Sequence, residues 1–392
     1  MGWKVSCAMD ERVQFVGAYL SGDRSMTTLC AQYGISRKTG YKWVSRYRSR
    51  GVSGLEERSR APHHPAHAVS EAVIEAILAR RDKRPEEGPL KIRRYLETVF
   101  PEWGPPAAST IAAILKTYGR VKARRRGSCA AGTVPAQPLG AYAEPNEAWC
   151  ADFKGWFCTG DGRRCTPLTI TDAVSRYLVL CQGLDGGLGV REVQPLFERA
   201  FREYGLPEVI RTDNGPPFGS PGLGGLSALS IWFLQLAIRP EHIRPGKPQD
   251  NGRHERMHRT LKALTARPPR GSLRAQQRAF DEFIEYYNFE RPHQALGQRP
   301  PGCVYRPSTR PFPHRLLVPE YPREWTVRKV KHKGGFLWGG QEYFLSQVLA
   351  GHHVGLKPID DDAWLIYFFT IPLAVFEEPE GRIRPYRPEQ PL

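Results

Sequence analysis

Three acidic residues in the middle of the chain have the types and placement to hold metal ions. Asp152 lies in the strand-like run WCADFKGWF, and Asp213 ends the apolar run of LPEVIRTDNG. Glu255 sits in PGKPQDNGRHERMHRTLKAL among Arg253, His254, Arg256, His258 and Arg259. Asp152 and Asp213 are 61 residues apart, and Glu255 follows 42 residues later. A buried strand that ends in an acid delivers the carboxylate at the C-terminal edge of its sheet. If the strands of Asp152 and Asp213 are neighbours, the two converge, and a helix crossing that edge presents Glu255 from the side. Three oxygen ligands without adjacent thiolates suit Mg²⁺, with Mn²⁺ as a substitute. Two such ions about 4 Å apart serve in-line phosphoryl transfer, activating the nucleophile and stabilising the leaving oxygen. Arg253, Arg256 and Arg259 can instead pair with Glu255 across a helical turn, and the residues alone leave both roles open. Asp250, in the Gly-Pro loop, is a less rigid rival to Glu255, and Asp172 in TITDA reads as a supporting acid.

The elements that must position these acids are legible from periodicity. WCADFKGWF, CTPLTITDA and RYLVLCQGL read as three close-spaced strands. A helix over Val190–Tyr204 stops at Gly205 and is followed by the strand LPEVIRTD, a helix over Leu226–Leu236 and the extended IRPEHI. The next helix carries Met257, Leu261 and Leu264 as its buried stripe, with Glu255 off that stripe and free to face a cleft. A long helix covers Leu273–Tyr287. The order β-β-β-α-β-α-β-α predicts a ribonuclease-H-like α/β catalytic core over 144–302. Within it, Lys154, Lys247, Arg253, His254 and His258 are candidate phosphate contacts.

Upstream, SMTTLCAQYGISRKTGYKWVSRYRSRG alternates helix, Gly-containing turn and Ser-capped helix with a basic outer face, the helix-turn-helix pattern. Arg37, Lys38, Lys42 and Arg46 are placed to meet phosphates or base edges. This predicts an all-helical helix-turn-helix domain over 1–60. A second helical DNA-binding module is expected over 68–126, ending in a basic run with Arg124, Arg125 and Arg126. A Gly/Ala/Pro-rich linker over 127–143 follows. Short alternating segments over 322–378 predict a small C-terminal β-barrel, and 379–392 reads as a flexible tail.

The 392-residue chain has a formal net charge of +17, whose simplest use is attraction to a polyanion. The eight cysteines form no CxxC pair, so structural zinc is not expected and a reducing cytosol fits better than secretion. No apolar run reaches the length of a membrane span, so no membrane partner is expected.

Beyond these residue-level readings, a series of motifs spanning residues 149–302 resembles DDE-type insertion-sequence transposases with a retroviral-integrase-like catalytic core, most nearly the IS481-like group. The motifs are WCADFKGWF, PLTITDAVSRY, IRTDNGPPF, LGGLSALSIWF, PGKPQDNGRHERMHRTLKAL and YYNFERPHQALGQRPP. The resemblance implies that Asp152, Asp213 and Glu255 are the catalytic and metal-binding triad, holding two ions. The second spacing is longer than the commonest arrangement, through the extra stretch around PFGSPGLGGLSALS. The resemblance further implies a bacterial, nucleoid-associated cytoplasmic enzyme. Such an enzyme binds the terminal inverted repeats of its element, cleaves the 3′ ends and joins them to target double-stranded DNA as a dimer or higher oligomer. The alternatives are a catalytically silent DNA-binding regulator and a metal-dependent nuclease on the same core.

Overall fold

The computed structural model describes residues 7–57, 69–121, 142–243 and 252–386, the side chain of Arg253 excepted. Met1–Ser70 and Glu71–Leu392 form two compact units.

In the first unit, α1 (Ala8–Leu20), α2 (Met26–Gln32) and α3 (Arg37–Arg50) enclose Phe15, Leu29, Trp43, Val44 and Leu55. Ser25 and Ser36 cap α2 and α3 by accepting from the N–H groups of Thr28 and Thr39, each at 3.2 Å, satisfying donors that a helix start leaves unpaired. Gly34 turns the chain between them with φ 63°. Gly40 permits close approach of α3 to α2, since a Cβ there would lie 2.8 Å from Cys30 Sγ and 2.9 Å from Met26 Sδ.

The second unit begins with α4 (Glu71–Lys83), α5 (Pro89–Val99) and α6 (Ala108–Thr117), which bury Ile77, Ile92, Leu96, Ile111 and Leu115. Arg80 and Glu87, 4% and 0% exposed, are joined by two 2.7 Å hydrogen bonds. The hydroxyl of Tyr286 lies 2.6 Å from Glu86 and 2.9 Å from Glu87, and so ties these helices to the core domain.

That core is a mixed sheet. β1 (Ala148–Phe153) runs antiparallel to β3 (Arg164–Asp172), which pairs antiparallel with β4 (Leu178–Leu184) and, at its start, with the short β2 (Phe157–Cys158). On its other side β1 is parallel to β5 (Val209–Thr212), and β5 to β6 (Arg239–His242). One face packs on α7 (Val190–Tyr204) and α8 (Ala228–Gln235) through Trp149, Ala151, Leu168, Ile170, Phe197, Phe201 and Phe233. The opposite face receives α9 (Gly252–Thr265) and α10 (Leu273–Glu285), which bring Met257, Leu261, Phe280 and Phe283 against Cys165, Leu178 and Cys181. Alternation along the strands thus divides apolar residues from Cys150, Asp152, Thr169 and Thr171, which share the α9 side.

The C-terminal segment corrects the sequence expectation of a closed β-barrel. β7 (Thr326–Lys329), β10 (His353–Asp360), β11 (Ala363–Phe368), β12 (Ile371–Glu377) and β13 (Arg382–Pro385) form an open sheet in the order β13-β12-β11-β10-β7. β8 (Gly335–Trp338) and β9 (Gln341–Phe344) form a separate hairpin. Among the described residues the end strands β7 and β13 do not pair. Closure is unnecessary because the apolar face is covered from outside: Leu226, Ile231 and Leu234, around and within α8, join Phe336, Leu356, Phe368, Leu373 and Phe376 in one core. β13 draws on the stretch read from the sequence as a tail.

Glu87→Ala leaves the buried Arg80 guanidinium without its bidentate partner, and about 3–5 kcal/mol of stability should be lost. Removing the exposed Glu198 partner of Arg202 should cost less than about 1 kcal/mol. Urea denaturation of the two variants checks the contrast, and equal effects would refute it.

Candidate functional site

Strand register sets the positions of the first two acids. Cys150 of β1 is paired in parallel with Arg211 of β5. Asp152 lies two residues further along β1, and Asp213 is the first residue beyond β5, two residues past Arg211, so both stand toward the same edge of the sheet. On the other side, Asp152 is paired with Thr169 of β3.

Helix α9 closes over this edge. His254 and His258, one helical turn apart, are 2% and 3% exposed. Both Nε2 atoms lie 2.7 Å from the hydroxyl of Thr169, which itself donates to the backbone carbonyl of Asp152 at 3.1 Å. The hydroxyl has one proton and two lone pairs. With its proton on the Asp152 carbonyl, it accepts an N–H from each imidazole. That assigns both rings the Nε2-protonated form and leaves both Nδ1 atoms as acceptors. The Nδ1 of His254 takes the hydroxyl proton of Thr171 at 3.0 Å, while the Nδ1 of His258 lies 3.9 Å from Asp152 Oδ2. Burial drives the His254 pKa to about 3. Burial, then the neighbouring His254 and Lys154, drives that of His258 to about 2. The imidazoles are neutral, so the His258–Asp152 contact is not an ion pair.

Asp152, His254 and His258 each offer a ligand atom, and these atoms lie within 4.8 Å of one another. The three could hold a divalent metal ion. His258 Nδ1 and the Asp152 carboxylate are the readier donors, because both nitrogens of His254 are engaged by threonines. A second observation fits a cation at this edge: Asp213 Oδ1 is buried without a hydrogen-bond partner. Desolvation raises the pKa of Asp213, against the lowering effects of the Gly215 N–H and His242. A buried carboxylate oxygen left unmatched is costly, and a bound cation would match it.

Glu255 is on the exposed side of α9, outside the Asp/His/His grouping. Asp172 is 1% exposed and accepts from the N–H groups of Asn146, Val174 and Ser175 and from the Ser175 hydroxyl, so it holds the β3–β4 turn. His254 and His258, expected from sequence to meet phosphates, are buried and face β3. Their H-x-x-x-H spacing on the flank of the Met257/Leu261 stripe was the available signal. Arg37, Lys38 and Lys42 are exposed on α3, while Arg46 is half-buried. The Lys42 ammonium and the Arg46 guanidinium sit 4.5 and 5.0 Å from the centre of the Trp43 ring. Lys154 is half-buried and bonds through its backbone N–H to Pro167. Arg124, Arg125, Arg126, Lys247, Asp250 and the side chain of Arg253 lie outside the described residues.

Comparison with known proteins converges on the same region. Integrase core domain families match residues 143–248 and 236–301. The central segment is thus similar to integrase core domains. A helix-turn-helix domain family matches residues 11–63 and a homeodomain-like domain family residues 39–115. The chain is 30% identical over 183 residues to the insertion element IS476 uncharacterized 39.2 kDa protein of Xanthomonas euvesicatoria, covering 46% of this chain and 51% of that protein. It is 29% identical over 180 residues to the insertion element IS407 uncharacterized 31.7 kDa protein of Burkholderia multivorans, covering 46% and 62%. It thus spans less than two-thirds of either relative. A 69-residue stretch is 44% identical to the Pol polyprotein of Feline endogenous virus ECE1, covering 17% of this chain and 6% of the polyprotein. The integrase core is therefore related to those of insertion elements and retroviruses. No described helix is long and apolar enough to cross a membrane.

Thr169→Val removes the acceptor of both imidazole N–H groups. Divalent-ion affinity should fall about 10- to 100-fold in a calorimetric Mn²⁺ titration, while Thr169→Ser should bind as the wild type does. Equal affinity in the valine variant would separate Thr169 from the metal centre.

Proposed function

We propose that the protein is a DDE-type transposase of the IS481-like group, acting on DNA by metal-dependent phosphoryl transfer. The observation that carries this reading is the placement of Asp152 near the end of β1 and of Asp213 just past the end of the adjacent, parallel β5, in a segment that matches integrase core domains, with a buried, unmatched oxygen on Asp213. In this reading residues 1–60 and 68–126 bind the terminal inverted repeats, and 144–302 cleave the 3′ ends and join them to target DNA. Two DNA ends require at least two protomers, arranged by the symmetry of the ends. The setting is the bacterial cytoplasm, on the nucleoid.

Asp152, Asp213 and Glu255 would hold two Mg²⁺ ions, or Mn²⁺ in their place. When bound, such ions lower the pKa of the attacking water or 3′-hydroxyl and offset charge on the leaving 3′-oxygen. The chain's own groups prepare that edge. Thr169 locks β1, β3 and α9 together, so the Asp152 carboxylate has a fixed backbone. Neutral His254 and His258 exclude water from beneath it without adding positive charge that would compete for the carboxylate. Glu255, one residue from His254 on the exposed side of the same helix, would have to reach the edge from solvent.

A second reading, a metal-dependent nuclease that cuts without joining, is favoured by one observation: among the described residues, Asp152, His254 and His258 group their ligand atoms within 4.8 Å, without Glu255. The experiment is strand transfer with purified protein, Mg²⁺ or Mn²⁺, and labelled DNA carrying the element ends that flank the gene. Joined products should form with the wild type and fall by orders of magnitude in Asp152→Asn, Asp213→Asn and Glu255→Gln. Cut but unjoined DNA would select the nuclease, and specific binding without cutting would select the silent regulator. Undiminished joining in Asp152→Asn would sink the triad assignment.

A further inference from the structure

Helix α9 has a second polar face. Residues two apart on an α-helix point about 200° apart, so Arg256 and Thr260 look away from His254 and His258. With Lys91 of α5, Arg176 of the β3–β4 turn, Arg291 and His293, they line a recess of about 440 Å³. Four cations from four separate stretches of sequence converge there.

Two carboxylates, Glu86 and Glu87, act on Lys91 from beside the recess. Glu87 gives both oxygens to Arg80 at 2.7 Å. Glu86 Oε1 lies 2.6 Å from the Tyr286 hydroxyl and 3.8 Å from Arg291, while its Oε2 is buried without a hydrogen-bond partner. Arg291 is held in place by the Tyr286 hydroxyl at 3.2 Å and by Thr260 at 3.4 Å. Burial and the charge of Arg291 outweigh the pull of Glu87 and Glu86 on Lys91, whose pKa falls to about 8. At the floor, His293 packs edge-on against Tyr287 at 4.7 Å, and its Nε2 is buried without a hydrogen-bond partner. Lys91, Arg291 and Arg176 add to burial in lowering the His293 pKa to about 3. Among the described residues that line it, the recess carries four cationic side chains and no carboxylate.

We propose that this recess binds a phosphodiester group of a DNA segment other than the one at the Asp152 edge. The inference rests on the DNA-transferring reading above. A phosphodiester supplies one negative charge and exposed oxygens that accept from guanidinium, ammonium and hydroxyl donors together. Because the recess and the metal-binding edge occupy opposite faces of one helix, a single straight strand segment does not serve both. Two duplexes, or one duplex and its displaced strand, would clamp α9 between them.

The test uses the full chain, a short duplex carrying an element end, and fluorescence anisotropy across a KCl series. Lys91→Met and Arg256→Gln should each weaken binding several-fold, to the same degree for any sequence. Each should also lower the slope of log K against log[KCl] by about 0.9, the signature of one lost phosphate contact. Without DNA, Lys91→Met should melt at or above the wild-type temperature, since it relieves repulsion with Arg291, and this separates lost binding from lost folding. An unchanged slope in both variants, with duplex binding intact, overturns the inference and leaves the transposase reading standing. A stabilising shift from inorganic phosphate that Lys91→Met abolishes, again with the slope unchanged, overturns it in favour of a small-anion pocket. Displacement of the duplex by polyglutamate from the wild type but not from Lys91→Met overturns it in favour of an acidic protein partner. A lowered slope in a protein that joins no DNA supports the recess and counts against the transposase reading instead.

Discussion

The candidate site depends on one strand, β1, being paired on both sides. Its parallel partner β5 leads Asp213 to the same sheet edge as Asp152, and its antiparallel partner β3 brings Thr169 opposite. A slip of one residue in either pairing would turn Asp152 toward the aromatic core of Phe197, Phe218 and Phe233, because side chains alternate faces with period two. The buried apolar residues Trp149 and Ala151 on the other face hold that register. Hydrophobic burial on one side of the sheet thus fixes carboxylate geometry on the other.

Beneath the carboxylates the polar groups are almost fully matched. One threonine hydroxyl accepts from two imidazoles and donates to the strand that carries Asp152, and a second threonine serves the remaining nitrogen of His254. Buried polar networks add rigidity when every member is satisfied and destabilise when one is not. Asp213 is the member left unsatisfied, and it stands where the core would need charge of the opposite sign. Local destabilisation of this kind persists where function requires it.

The sequence made the helix-turn-helix visible through Ser36, Gly34 and the alternation of basic and apolar residues along α3. It made the order of core elements visible through periodicity and the acids at strand ends. It did not reveal the role of His254 and His258. Set among arginines, they read as part of a solvated basic face; only the placement of Thr169 and Thr171 on the facing strand shows that this side of α9 is covered. The C-terminal sheet failed as a barrel for a related reason. Alternation in AWLIYFF and PLAVFEE says that one face is buried but not what buries it, and a helix from elsewhere in the chain leaves the same pattern as closure.

The stretch that lengthens the interval between Asp213 and Glu255 is where that helix begins. Gly224, at φ 64°, turns the chain so tightly against β12 that a Cβ would come within 2.7 Å of Leu373, and Leu226 continues into the shared core. The interval is a docking platform: its residues are half of a joint whose other half lies more than a hundred residues downstream. The two segments are therefore constrained to change together, and a shorter interval would leave the terminal sheet without its seat.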